Sequence, residues 1–143
     1  MRLWNSIFAH YLYFLSEFFC MSYSFENLDV WKAARCLVVQ VYGVQAKFPP
    51  FEKYGLGDQL RRAAVSVPSN IAEGSSRISI KEQLHFIEIA YGSLMEVYCQ
   101  LLLACDLKYV KEHEIEESIT LITAIGKMLN GLRFNKLSKL RSS

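Results

Sequence analysis

Helix breakers are scarce: three prolines and seven glycines punctuate 143 residues. No stretch alternates apolar and polar residues between turn signals, so no strand or hairpin competes and most of the chain should be helical. The four cysteines, Cys20, Cys36, Cys99 and Cys105, form no C-x-x-C pair, and no histidine completes a zinc spacing with them. Buried or idle thiols in a reducing compartment are the expectation. A surplus of either charge is also missing. Sixteen basic residues against fourteen acidic ones leave +2, which excludes a histone-like polycation, an acidic tail and a disordered chain. The sequence holds no G-x-G-x-x-G, no Walker A loop, no G-x-S-x-G and no cysteine set beside a base, which removes the common nucleotide-binding and nucleophilic chemistries. The length corresponds to one domain.

Apolar residues crowd the start, where they make up 14 of the first 20 positions, MRLWNSIFAHYLYFLSEFFC. His10 and Glu17 interrupt this segment, and no small-x-small cleavage site follows it. Its uninterrupted run, Tyr11 to Leu15, is far below the roughly 20 residues that cross a bilayer. Trp4, Phe8, Tyr11, Leu15 and Phe18 repeat at helical spacing, as in an interfacial or partner-binding helix. Met21 opens polar sequence and is an alternative translation start. We therefore divide the chain into an N-terminal extension, residues 1–24, and a helical domain, residues 25–140, expected in the cytoplasm with no membrane partner.

Four apolar stripes follow. Val30, Trp31, Ala34, Leu37, Val38, Val41 and Tyr42 lie on one helical face behind Asn27, a candidate N-cap, and this helix must end before Phe48-Pro49-Pro50. Leu56, Leu60, Ala64, Val67 and Ile71 mark the inward face of a second helix, with Arg62, Ser66, Ser69 and Glu73 on the opposite face. Pro68 should kink it, and Gly74 reads as its stop signal. Ser79 and Glu82 fit a capping box that opens the third helix, whose stripe Ile80, Leu84, Ile87, Tyr91, Leu94, Tyr98, Leu101 and Cys105 keeps a heptad pattern. The fourth helix begins near Glu112, with Glu114, Glu116 and Glu117 in its early turns, and ends amid Lys127, Arg133, Lys136 and Lys139, complementing the helix dipole. Ile115, Ile119, Ile122, Ile125, Leu129 and Leu132 form its core face. Four such helices joined by short connections predict an all-α fold, an antiparallel up-down four-helix bundle with a Pro-kinked second helix.

Catalytic patterns are weak. Glu82 and His85 have the E-x-x-H spacing of di-metal carboxylate bundles, but no second copy exists and Glu82 is claimed by the cap. Helical-bundle nucleases of the HEPN type need an arginine and a histidine four to six residues apart, whereas seven residues separate Arg77 from His85. The expectation is no catalytic residue, no metal and no cofactor. Small residues at Ser66, Ser69 and Ala72 would let another backbone approach, with Arg62 and Glu73 making polar contacts across a subunit boundary. Arg61, Arg62, Arg77 and Lys81, with Arg133, Lys136 and Lys139, are candidates for nucleic-acid contact, and after Glu117 no acidic residue appears.

The segment from Tyr54 to Gly74, YGLGDQLRRAAVSVPSNIAEG, resembles the signature of the four-helix-bundle family known as 23S rRNA intervening-sequence proteins. Leu28 to Ala34, Ala90 to Glu96 and Lys127 to Leu132 match its other helices in order, so the likeness covers about Phe25 to Leu137 and leaves residues 1–20 unaccounted for. The resemblance implies a ring-like homopentamer. It also brings in a relative, the accessory protein of diversity-generating retroelements, which binds a reverse transcriptase and nucleic acid. Most members have no assigned activity, and the family name records where some genes sit. Together these readings give a non-enzymatic oligomeric scaffold engaging RNA, DNA or a reverse transcriptase, with a protein-only interaction module as the alternative.

Overall fold

Each apolar stripe becomes a helix. The computed structural model describes residues 23–142, so the proposed extension falls almost wholly outside the described residues. Helix α1 spans Asp29–Gln45, α2 Leu56–Ser75, α3 Ile80–Asp106 and α4 Glu116–Arg141. Single 3-10 turns at Ser24–Asn27, Pro50–Tyr54 and Glu112–Glu114 lead into α1, α2 and α4. The described residues contain no strand. Each helix packs on two others, in the cycle α1, α2, α3, α4 and back to α1. Ser66 meets Ser93 while Gly74 meets Phe86, and Gly126 meets Leu94 while Arg133 meets Glu88. Gln45 lies by Gly57 and Leu28 by Ile71, whereas Lys47 reaches Glu114 and Leu28 lies by Leu132. Residue numbers rise along one helix as they fall along its neighbour, so adjacent helices run in opposite directions.

The axis of the bundle is filled by Leu37, Val41, Leu60, Val67, Leu94, Val97, Leu101, Ile125 and Leu129, none of them measurably exposed. Along α3 the core differs from the heptad reading. Tyr98, expected inside, is 39% exposed, while Ala90, Val97 and Ala104 are buried. A straight α-helix drifts about 20° per heptad away from a strict seven-residue repeat, so Tyr91, Tyr98 and Cys105 turn toward the rim while Leu94 and Leu101 keep the centre beside Ala90, Val97 and Ala104. Helix α2 continues through Pro68 to Ser75. Pro68 offers no N–H to the preceding turn, and there Ser69 Oγ donates to the Val65 carbonyl and Asn70 Nδ2 to the Ser66 carbonyl, each at 2.8 Å.

Three local expectations are corrected. Leu28, not Asn27, is the N-cap of α1, because Asn27 closes the preceding 3-10 turn. Ser79 does cap α3, but its side chain makes no capping bond; nearby, Gln83 Nε2 donates to the Arg77 carbonyl. Gly74 is not a stop but a buried residue one position inside α2. A Cβ there would stand 2.8 Å from Cβ of Phe86, so only glycine lets α3 come this close. The thiols of Cys36, Cys99 and Cys105 are free, the first two exposed and the third half-buried.

One end of the bundle is tied by contacts between its two longer connections. Glu52 accepts the Leu56 N–H (2.7 Å), which caps α2, and the Tyr109 hydroxyl (2.9 Å). That hydrogen bond to Glu52 raises the Tyr109 pKa. Tyr109 reaches the spot because α3 ends in a Schellman turn, with Tyr109 N–H on the Ala104 carbonyl and Lys108 N–H on the Cys105 carbonyl, both at 2.9 Å. Lys108 holds the left-handed position of this turn at φ 62°. A side chain there costs roughly 1 kcal/mol relative to glycine. Lys108→Gly should therefore raise stability by about 1 kcal/mol, read as a higher denaturation midpoint at unchanged m-value.

Lys47 and Glu114 form a 2.7 Å ion pair across the same end. The hydrogen bond from Lys47, then that from the Lys111 N–H, lowers the Glu114 pKa. A lowered folded pKa makes a contribution that is present above the ordinary glutamate value and lost as pH falls through the folded one. Lys47→Ala should flatten that acid-side dependence in denaturation curves recorded from neutral pH downward, while wild type keeps the steeper slope.

Candidate nucleic-acid interface

The seven basic candidates divide between the two ends of the bundle. Arg61 and Arg62 sit in the second turn of α2, about 20 Å along the helix from Ser75. Both are held by Asp58, Arg61 at 3.3 Å and Arg62 at 2.8 Å, and Arg61 also donates to the Lys53 carbonyl. Arg77 and Lys81 flank the turn between α2 and α3 at the far end. Because α4 runs against α3, its last turns bring Arg133, Lys136 and Lys139 to that same end. The separation exceeds two Debye lengths at physiological salt, so the two sets act on a ligand independently.

Within the larger set, Arg77 is fixed by Glu73 and stacks its guanidinium over Phe86 at 5.0 Å. Arg133 pairs with Glu88 at 3.2 Å. Lys81 is exposed and lies within ion-pair distance of no acidic residue among those described. Lys136 is half-buried at the mouth of a cavity of about 160 Å³ lined mainly by Leu28, Ile71, Ile87, Leu129 and Leu132. A lysine so placed can lay its methylene stem on apolar surface and keep its ammonium in water. From Ser118 onward the sequence of α4 holds Lys127, Arg133, Lys136, Lys139 and Arg141 and no Asp or Glu.

Of the residues singled out for a subunit boundary, Arg62 is exposed but ion-paired within its own helix, and Glu73 is exposed and bonded to Arg77. Ser69 is exposed. Ser66 differs from expectation: it faces α3, sharing a 2.8 Å hydrogen bond with the buried Ser93. Helix α2 packs on two neighbours, so its buried arc is wider than one stripe and takes in Ser66. Glu82 and His85 are both exposed, and among the described residues no three His, Cys, Asp or Glu side chains gather as a metal site would require.

A family model described as 23S rRNA-intervening sequence protein matches residues 26–131, most of the chain. The chain belongs to the 23S rRNA-intervening sequence protein family. No curated protein matches it. The matched region holds Arg61, Arg62, Arg77 and Lys81 but ends at Gly131, before Arg133, Lys136 and Lys139. Part of the basic end thus lies beyond the matched region.

Proposed function

We propose that this protein is a non-enzymatic, oligomeric scaffold of the cytoplasm whose basic end engages RNA or DNA nonspecifically, or an enzyme that works on nucleic acid, such as a reverse transcriptase. The observation that carries the reading is the gathering of Arg77, Lys81, Arg133, Lys136 and Lys139 at one end, with Lys81 exposed and without an ion-pair partner among the described residues. Phosphate contacts by such side chains release counterions and need no base readout. A net charge of +2 gives one chain little long-range attraction, but a ring of copies repeats the cluster and multiplies the local field.

The subunit boundary we assign to the α2 surface around Arg62, Ser69 and Glu73, with five copies as the closed form implied by the family resemblance. Purified protein should carry nucleic acid, seen as a high 260-to-280 nm absorbance ratio that falls on a high-salt wash. Sedimentation should give a mass well above one chain. A clean 280 nm spectrum at low salt together with an assembled mass would instead favour a protein-only module, and a monomer at micromolar concentration would remove the scaffold.

A further inference from the structure

Near the end of α4, Phe134 holds its ring out into solvent. It is 76% exposed, more than any other phenylalanine among the described residues, and within those residues it meets no other ring and no cation over its face. Phe51, exposed to 74%, differs in packing against Tyr109 at 6.1 Å. Lys127, Gly131, Phe134, Ser138 and Arg141 follow one another at steps of four, three, four and three, so they share one face of α4, and all five are exposed. The residues one turn to either side of the ring, Gly131 and Ser138, are small, and a Cβ added at Gly131 would meet nothing within 4 Å. The ring is therefore open to a flat partner. Lys127 and Arg141 stand two turns away on either side, each about 10 Å along the axis. Neither lies within ion-pair distance of an acidic residue among those described, whereas Arg133 is held by Glu88.

We propose that Phe134 is a stacking platform for an unpaired base, with Lys127 and Arg141 on the phosphates to either side, so that the basic end discriminates in favour of single-stranded RNA or DNA. The proposal rests on the nucleic-acid reading above and names its substrate class. A single strand presents flat base faces beside a charged backbone, and an aromatic ring between two unpaired cations complements both. Every base has a π-face, so stacking asks for no particular sequence. In a duplex those faces are covered by the neighbouring pairs, and a ring reaches one only by unstacking a step. A protein partner fits this face of α4 poorly. Specific interfaces bury about 800 Å² on each side, and the apolar surface here is one ring between a glycine, a serine and two charges.

The test is the affinity of the full chain for a labelled mixed-sequence single-stranded RNA and for the duplex made from it, measured by anisotropy at low salt, with sedimentation of each variant. Phe134→Leu keeps an apolar side chain but removes the π-face. It should lower single-strand affinity about ten-fold and leave duplex affinity unchanged. The salt dependence should keep its slope, because no charge is lost. Phe134→Trp should restore single-strand binding. Single-strand affinity indifferent to Phe134→Leu, an equal fall for both forms, or no recovery in Phe134→Trp would overturn the platform while leaving the basic end as a nucleic-acid site. A smaller assembled mass in Phe134→Leu would make the ring a contact between copies and overturn it equally. Wild-type protein that binds neither form would remove the nucleic-acid reading itself, and the platform with it.

Discussion

Reversing charge at the basic end, with Lys81→Glu, Arg133→Glu and Lys136→Glu together, should lower affinity for a single-stranded RNA by roughly two orders of magnitude near 0.1 M salt. On a single strand each phosphate contact contributes about 0.7 to the slope of log affinity against log salt, so losing three removes about 2.1 from the exponent. The salt dependence of what remains should become correspondingly shallow. All three side chains lie on helix surfaces, half-buried or exposed, so circular dichroism and melting should change little. Arg61→Glu with Arg62→Glu, at the opposite end and already neutralised by Asp58, should stay within a few-fold of wild type. The reverse ranking, measured by fluorescence anisotropy, would move the interface to the α2 N-terminus.

Gly74→Val carries the largest expected effect on the fold. Its first added carbon would meet Phe86 at 2.8 Å, at the root of that side chain where no rotamer change gives relief, so α2 and α3 must separate. Overpacking of this kind costs about 3 kcal/mol, a large share of a typical 5–15 kcal/mol stability. Gly131→Ala is the matched control: a Cβ there meets nothing within 4 Å, and helix propensity alone should stabilise by up to about 1 kcal/mol. Denaturant melts of the two should move in opposite directions. A neutral Gly74→Val would mean that the helices do not pack this closely. Arg77 stacks on the same Phe86, so the substitution should also weaken nucleic-acid binding through displacement of the basic end.

Local periodicity made much of this architecture legible. Leu60, Ala64, Val67 and Ile71 were readable as a core face from spacing alone, as were Ile122, Ile125 and Leu129, and all are buried. The failures share a cause, which is a contact partner distant in sequence. Glu52 caps α2 and accepts from Tyr109, 57 positions away, and neither role has a local pattern. Lys108 stands where glycine is usual, so the Schellman turn that aims Tyr109 leaves no composition signal. Gly74 was visible as a glycine, but the reason for it is Phe86 on another helix. Ser66 was misplaced because a helix with two neighbours buries more than one stripe. For the candidate site, the basic residues were countable in sequence, but their division between two ends required the antiparallel course of α3 and α4.

The most direct test of the central claim is the affinity of the intact protein for a labelled single-stranded RNA, measured at about 50 and about 200 mM salt. One phosphate contact from each of the five clustered basic residues, at about 0.7 in slope each on a single strand, predicts a fall of roughly 100-fold across that interval, with little dependence on RNA sequence. Affinity unchanged between the two salts, or no binding at the lower one, would contradict a nucleic-acid-engaging basic end.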